Sequence, residues 1–383
     1  MLIGYDGKRA VENNTGLGNY SRLVIEVLAQ RHPDDLFRLY APRLKFQPRL
    51  RALFDLCNVD LTTPDTWRGR HLRSMWRSHG VTRQLIADHV DLFHGLSGEL
   101  PVNIARAGIP TVVTIHDVIF RRFPQYYSQI DRAIYDRKFR FAAREATRVI
   151  AISDRTRRDV MELYDIPADK IDVVYQGCHR QFHTRPSDET IEAVKKKYGL
   201  DRPYIIAVGT IEERKNQLQA VRALHGLPRD LDMVLVGGRT PYTHTIARYV
   251  EQYHLGERIH MISNADFADF PALYAGAVCS SYTSRYEGFG IPVIESLSVG
   301  TPVIIASGSC LEEAAGPSAP VVSPDNVNEF IYVAKELCDY PRVREKIARE
   351  GRQWVARFND DNMADGIWQS YQKAINKFSS QNV

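Results

Sequence analysis

The chain has 383 residues, 25% of them charged and 44% apolar, and a formal net charge of +4. At roughly 100–200 residues per domain, that length implies two or three domains with sizeable cores, and the composition has neither the low hydrophobicity nor the high net charge of a disordered chain. No apolar run approaches the ~20 residues of a membrane-spanning helix, and MLIGYDGKRA lacks the basic and apolar regions of a secretory signal, so a cytosolic protein is expected.

The five cysteines, Cys57, Cys178, Cys279, Cys310 and Cys338, are odd in number, far apart and without a CxxC pair. This argues against a disulfide framework and a structural zinc site, and predicts buried, inert thiols. Charge is unevenly divided. Residues 1–180 hold 28 basic against 21 acidic residues, or +7, and residues 181–383 hold 22 against 25, or −3.

Short apolar runs alternate with longer amphipathic stretches, the pattern of parallel sheets covered by helices. In the first half, strands are predicted at 2–5, 36–40, 91–94, 111–115, 149–152 and 171–174. The loop DGKRAVENNTGLGNYSR leads from the first strand into a helix. Its Gly16 and Gly18 let backbone approach a ligand closely, and Asn19 or Ser21 is the expected helix cap. The spacing fails the GxGxxG dinucleotide pattern after Gly18, which disfavours an NAD enzyme. The strand TVVTI delivers His116 and Asp117 to the carboxyl side of the sheet, where ligands of open α/β sheets bind; His94, at the end of DLFH, reads first as structural. Pro, Gly and polar residues cluster over 176–203, the expected domain boundary. The second half repeats the plan with strands at 204–208, 233–236, 259–262, 277–281, 303–306 and 320–322. A final helix from about 361 carries Trp368, Tyr371 and Phe378, aromatics expected to pack against a domain.

The stretch 282–302, YTSRYEGFGIPVIESLSVGTP, carries the most chemistry. Pro292 suits the first turn of a helix and Gly300 its far end. The helix then opens near Gly290 and Ile291 and presents backbone N–H groups and a positive dipole end to an anion. Glu287 lies in the preceding loop, and Glu295 lies in the first or second turn, where its carboxylate can accept from a ligand hydroxyl. Asp230-Leu231-Asp232 is formally a DxD metal motif, but it sits at the amino end of a strand, away from the ligand side, and is read as a solvated turn. Two basic runs stand out. Residues 121–158 hold eleven Lys or Arg against four acidic residues, and residues 43–83 hold nine against three, interleaved with Phe46, Phe54, Trp67 and Trp76. Such runs suit an anionic membrane surface or a pyrophosphate-linked acceptor; they equally suit RNA, or stand simply as soluble helix faces.

EGFGIPVIES resembles the E-x7-E signature of the retaining glycosyltransferases of family 4, which have the GT-B architecture. VGTIEERKN at 208–216, AISDRTRRDV at 151–160, VVYQGCHRQFH at 173–183, LVGG at 235–238 and the GLGNY loop at 16–20 also match, so the resemblance runs over nearly the whole chain. It implies that Glu295 holds the nucleotide ribose hydroxyls and that Glu287 contacts the donor sugar. It further implies that the backbone of Phe289, Gly290 and Ile291 lines the donor sugar and phosphates, and that Lys215 pairs with the donor diphosphate. Where many relatives carry Arg after the glycine of the phosphate turn, this chain has Thr210, and Arg214 is the candidate second cation. His116 corresponds to a histidine that helps position the donor sugar, and the Gly16–Gly18 loop to one bordering the donor phosphate and the acceptor.

The expected fold is therefore α/β of GT-B type, two Rossmann-like doubly wound domains facing across a cleft. Residues 1–180 form the acceptor domain, residues 181–360 the donor domain, and the helix within 361–383 packs back on the first. The expected activity is retaining transfer of a hexose, with mannose from GDP-mannose the first choice on a further resemblance of HDVIFRRFPQYY and the opening loop to bacterial polysaccharide mannosyltransferases. The acceptor is a glycan or lipid-linked oligosaccharide, with peripheral contact to an anionic membrane through the basic first domain. No metal, no cofactor and no nucleic-acid partner is expected. A UDP-sugar donor, a non-transferring epimerase and an inactive binding protein are the alternatives.

Overall fold

A computed structural model describes residues 1–13, 15–45, 50–66 and 71–381. Phe46 and Trp67 of the basic-aromatic run lie outside the described residues. The chain divides into two compact units, residues 1–176 with 360–383, and residues 177–359. No described helix is long and apolar enough to cross a membrane.

The first unit is built on β1 (Leu2–Asp6), β2 (Leu36–Tyr40), β3 (Val59–Thr62), β4 (Leu92–Gly95), β5 (Thr111–Ile115), β6 (Arg148–Ala151) and β7 (Ile171–Val173). These form one parallel sheet in the order β3-β2-β1-β4-β5-β6-β7. The second unit uses β8 (Tyr204–Val208), β9 (Asp232–Val236), β10 (Ile259–Ile262), β11 (Cys279–Tyr282), β12 (Val303–Ala306) and β13 (Val321–Val322), ordered β10-β9-β8-β11-β12-β13. Central strands such as TVVTI and DMVLV are buried at every position, because helices cover both faces of a parallel sheet. Each sheet therefore has one switch point, β1/β4 in the first unit and β8/β11 in the second, where strand order reverses and a crevice opens beyond the carboxyl ends.

Twelve strands lie within two residues of their expected positions. The thirteenth, β3, is an edge strand with one buried residue in four, so it lacks the apolar run that marks a two-sided strand. The opening loop also differs from expectation. A short helix, Lys8–Glu12, follows β1, and the next helix runs from Gly16 to Arg31 with Thr15 at its N-cap. Asn19 and Ser21 thus lie inside the helix, where Ser21 Oγ donates to the Leu17 carbonyl at 2.8 Å.

Several expectations about polar groups are corrected. Asp232 is not a solvated turn residue: it is 4% exposed and held by His260 Nε2 at 2.9 Å and Arg202 at 3.5 Å. Cys57 is exposed rather than buried. The run 121–158 is largely neutralised, and in the run 43–83 Arg43 and Arg77 are paired. Arg122 pairs with Asp159 and Glu162, Arg148 with Asp172, Arg157 and Arg158 with Asp154, and Arg77 with Asp6 and Glu99.

The helix Asp360–Gln381 belongs to the first unit. Met363, Ala364, Ile367, Tyr371 and Ala374 recur at helical spacing and are buried in the same core as Ile3 and Val24. Trp368 stacks on His32 with centroids 3.5 Å apart. The Tyr371 hydroxyl meets His94 Nδ1 at 2.7 Å and Tyr5 OH at 3.2 Å, and the other His94 nitrogen meets Thr114 Oγ1 at 2.8 Å. His94 is fully buried, and burial pushes its pKa down to about 3. It is a neutral structural histidine that ties the last helix to the sheet. Replacing Tyr371 with Phe strands these buried polar atoms, and unsatisfied buried groups cost about 1–3 kcal/mol each. Urea unfolding of Tyr371→Phe is expected to show a loss in that range; a midpoint equal to that of the wild type would remove this network from the account.

Candidate active site

At the switch point of the second unit, the turn after β8 and the loop after β11 meet. Gly209 has φ 136°, and a Cβ on Gly237 would fall 2.1 Å from the Gly209 carbonyl. The two backbones therefore cross where a side chain cannot fit. The chain then makes a 3-10 turn, Glu213–Lys215, and Asn216 at φ 56° redirects it into the helix Gln217–Ala223. Asn216 Nδ2 donates to the Pro324 carbonyl at 2.8 Å and to that of Thr283 at 3.3 Å. Arg285 N donates to the Arg214 carbonyl at 2.8 Å, and Arg214 Nη1 to that of Tyr286 at 2.6 Å. These bonds join the two loops.

The junction holds a charge cluster. Glu287 accepts from Lys215 Nζ at 3.0 Å on one oxygen and from Arg214 Nη1 at 2.9 Å on the other. Tyr282 OH lies 2.8 Å from Lys215 Nζ and 3.2 Å from Glu287. Glu212 reaches Arg214 from the outer side at 2.5 Å. Burial opposes ionisation of Glu287, but the Lys215 and Arg214 charges outweigh it and bring its pKa down to about 2. Glu287 is thus a permanent carboxylate that accepts hydrogen bonds and has no proton to give. Burial opposes the charge on Lys215 as well, and Glu287 overcomes it and raises that pKa.

Beside the cluster, the helix Ile291–Ser298 starts at Gly290, φ 124°, with Pro292 in its first turn and no side-chain cap. Gly300, just past its end, has φ 85°. Phe289 turns its ring into the protein against Phe358, so what it offers at the surface of the turn is backbone. Cys310 Sγ donates to the carbonyls of Glu287 and Phe289 at 3.0 and 2.9 Å and fixes the shape of the turn. Glu295, 8% exposed, accepts from Tyr274 OH at 3.2 Å. Burial raises its pKa to about 7, with the Tyr274 bond opposing.

The structure therefore brings Arg214, Lys215, Glu287, Phe289, Gly290, Ile291 and Glu295 to the carboxyl ends of β8 and β11. Thr210 is exposed. Gly16, Gly18 and His116 lie in the first unit. A Cβ on Gly18 would sit 1.9 Å from the Asn13 carbonyl, so this glycine is required by the chain's own packing; Gly16 has nothing within 4 Å of its Cβ position. His116 follows β5 and Nε2 lies 2.9 Å from the Leu96 carbonyl. A carbonyl only accepts, so Nε2 carries the proton and Nδ1 does not. The His116 carbonyl accepts from Thr156 Oγ1 at 3.1 Å, and Tyr20 packs edge-on at 4.6 Å. Burial lowers the His116 pKa to about 4, so the ring is neutral at neutral pH. Sequence reasoning missed Tyr274, Tyr282, Asn216 and the role of Cys310, since each acts on a residue that is 21 or more positions away or only five positions on across a turn.

Comparison with known proteins gives the site its context. The family model "Glycosyltransferase Family 4" matches residues 15–182, and "Glycosyl transferases group 1" matches residues 188–354. The chain is 29% identical over 284 residues to O-antigen chain mannosyltransferase B of Escherichia coli, covering 72% of this chain and 73% of that one. It is 26% identical over 361 residues to MMP alpha-(1->4)-mannosyltransferase of Mycolicibacterium hassiacum, covering 90% and 84%. Anabaena HepE, solved with UDP and glucose, has the same fold, with a TM-score of 0.77, 19% identity and coverage of 97% and 99%.

The raised pKa of Glu295 has a measurable sign. Folding favours its protonated form, so its contribution is present at low pH and is lost as pH rises from the ordinary carboxylate range through about 7. At 1.36 kcal/mol per pKa unit, the loss approaches about 3 kcal/mol. Glu295→Gln should therefore match the wild type in urea stability at pH 5 and exceed it at pH 8. An equal difference at both pH values would show that Glu295 titrates normally.

Proposed function

From a chain that belongs to the glycosyltransferases, with a family 4 domain followed by a group 1 domain, we propose a retaining, metal-independent hexosyltransferase. Mannose from GDP-mannose is the preferred donor, and a glycan or lipid-linked oligosaccharide of bacterial surface polysaccharide synthesis is the acceptor. The observation that carries this reading is the Arg214–Lys215–Glu287 cluster beside the amino end of the helix Ile291–Ser298, at the switch point of the second sheet. The similarity to two mannosyltransferases supports the choice of sugar.

In the proposed reaction, an acceptor hydroxyl attacks the anomeric carbon on the face from which the nucleoside diphosphate departs. The carbon–oxygen bond to the β-phosphate breaks, a new glycosidic bond forms, and the leaving phosphate oxygen takes the hydroxyl proton. Negative charge grows on the diphosphate, so preorganised cations and backbone N–H groups next to it lower the barrier. Lys215 and Arg214 supply the cations, and the helix start at Gly290 and Ile291 supplies the dipole. Glu287, always ionised, accepts from hydroxyls of the donor sugar. Glu295 accepts from the ribose. His116 offers two acceptors to sugar hydroxyls, its carbonyl and its unprotonated Nδ1. A cytoplasmic location, reaching the inner face of the membrane where a lipid-linked acceptor is presented, fits this reading.

Removing one preorganised charge stabiliser typically costs about 10²–10³-fold in rate. Lys215→Ala should lower kcat/KM with GDP-mannose by at least ~10²-fold, with EDTA leaving wild-type turnover unchanged. Native kinetics in Lys215→Ala, or loss of wild-type activity in EDTA, would contradict the assignment. Thermal shifts with GDP-mannose, UDP-glucose and an ADP-sugar distinguish the donor base, since a ligand of the native state raises its stability.

A further inference from the structure

The first unit holds a cavity of about 1110 Å³ that the transfer chemistry does not use. It lies over one face of the sheet, between the helix Gln129–Glu145, the segment 74–81 and the loop 99–102. Trp76, Val81, Phe93, Leu100 and Phe141 form its walls. Protein interiors are close-packed, and small-molecule pockets occupy about 300–1,000 Å³. An open, largely apolar space of this size can hold a ligand.

The mouth is distinctive. Val102 and Ile134 line the cavity yet are 49% and 46% exposed. Apolar groups left in water around an apolar cavity mark an interaction site. The cavity side of the helix Gln129–Glu145 adds Arg137, Lys138, Arg140 and Arg144 against Asp136 and Glu145. Glu99 is held by Arg77 at 2.7 Å and Lys138 at 3.1 Å, and Asp136 by Arg140 at 3.2 Å. Among the described residues, Arg137 and Arg144 pair with no carboxylate within salt-bridge distance. An apolar chamber with two uncommitted guanidinium groups at its entrance complements a molecule with a hydrocarbon chain and an anionic head, and guanidinium is the preferred partner of phosphate.

We propose that this cavity takes the hydrocarbon chain of a phosphate-headed lipid, the membrane anchor of the acceptor, with Arg137 and Arg144 receiving the phosphate. The identity of that lipid as the acceptor rests on the transfer reading above; the binding site does not. Asp6 and Glu99, at the carboxyl end of β1 and after β4, line one end of the same cavity, beside the edge of the sheet where ligands of this architecture bind, and Arg144, in the last turn of the helix Gln129–Glu145, lies toward the amino edge.

The test uses the full-length protein and dodecyl phosphate below its micelle concentration, with dodecyl maltoside and inorganic phosphate as the separated parts. Calorimetry should show dodecyl phosphate binding at least ten-fold more tightly than either. Ile134→Glu, at a half-exposed position that tolerates a charge, and the double variant Arg137→Glu/Arg144→Glu should each weaken it by ten-fold or more. Binding should change tryptophan fluorescence in the wild type and leave it unchanged in Trp76→Phe. Native affinity in both cavity variants, or a fluorescence change that persists without Trp76, would overturn the proposal. The two readings fail separately. Dodecyl phosphate binding without any thermal shift from sugar nucleotides would sink the transfer reading and leave the cavity standing. A nucleotide shift retained in Ile134→Glu, without any dodecyl phosphate binding to the wild type, would do the reverse.

Discussion

One buried carboxylate organises the second unit. Glu287 is held by a guanidinium on one oxygen and an ammonium on the other, and both cations come from a turn more than seventy residues earlier in the chain. Taking three charges out of water is costly, so the arrangement stands only because each charge has a partner and the loops are pinned by backbone hydrogen bonds. Asn216 on the Thr283 and Pro324 carbonyls, Arg285 on the Arg214 carbonyl, and Cys310 on the carbonyls of Glu287 and Phe289 provide that pinning. The result is a pair of cations already in place, at the carboxyl edge of a parallel sheet, beside an uncapped helix start. Cations and a free helix start both favour an anion there. The pairing also divides the two glutamates by environment: Glu287 is kept ionised, and Glu295, whose near neighbour is a buried tyrosine, is kept close to neutrality.

The first unit is organised by neutral groups instead. His94, Tyr371, Tyr5 and Thr114 form a hydrogen-bonded chain inside the core, and His116 is neutral beside Tyr20. Much of the positive charge over 121–158 is tied up in ion pairs, including Arg122 with Asp159 and Glu162 and Arg148 with Asp172. Surface pairs of this kind contribute little stability each, but they reduce the charge available to an outside partner. At the cavity, Arg137 and Arg144 are in no ion pair with a described carboxylate.

Much of this was legible in the sequence, for physical reasons. Strands buried on both faces must be runs of Val, Ile and Leu, so twelve of thirteen could be read directly, and β3 escaped because an edge strand need not be apolar throughout. Pro292 and Gly300 bracket a helix through their own backbone limits, and that put Glu287 and Glu295 on either side of its start. What depends on tertiary neighbours was not legible. Nothing local to Tyr274 reveals that it donates to Glu295, and nothing local to Cys310 shows a thiol bracing the turn that follows the neighbouring strand. The same blindness affected the basic runs. Eleven cations over 121–158 look like a patch until the carboxylates of other elements are seen to meet them. Asp230-Leu231-Asp232 read as a solvated turn because its partners, Arg202 and His260, come from elsewhere in the chain.

The central claim is that the turn 209–217 and the loop 282–297 together bind the donor diphosphate. Hydrogen exchange on the full-length protein, with and without GDP-mannose, tests it most directly, because amides that bind phosphate or close over it become protected. The account predicts protection concentrated in 209–217 and 286–297. Protection confined to other segments, with these two loops unchanged at saturating nucleotide sugar, would contradict it.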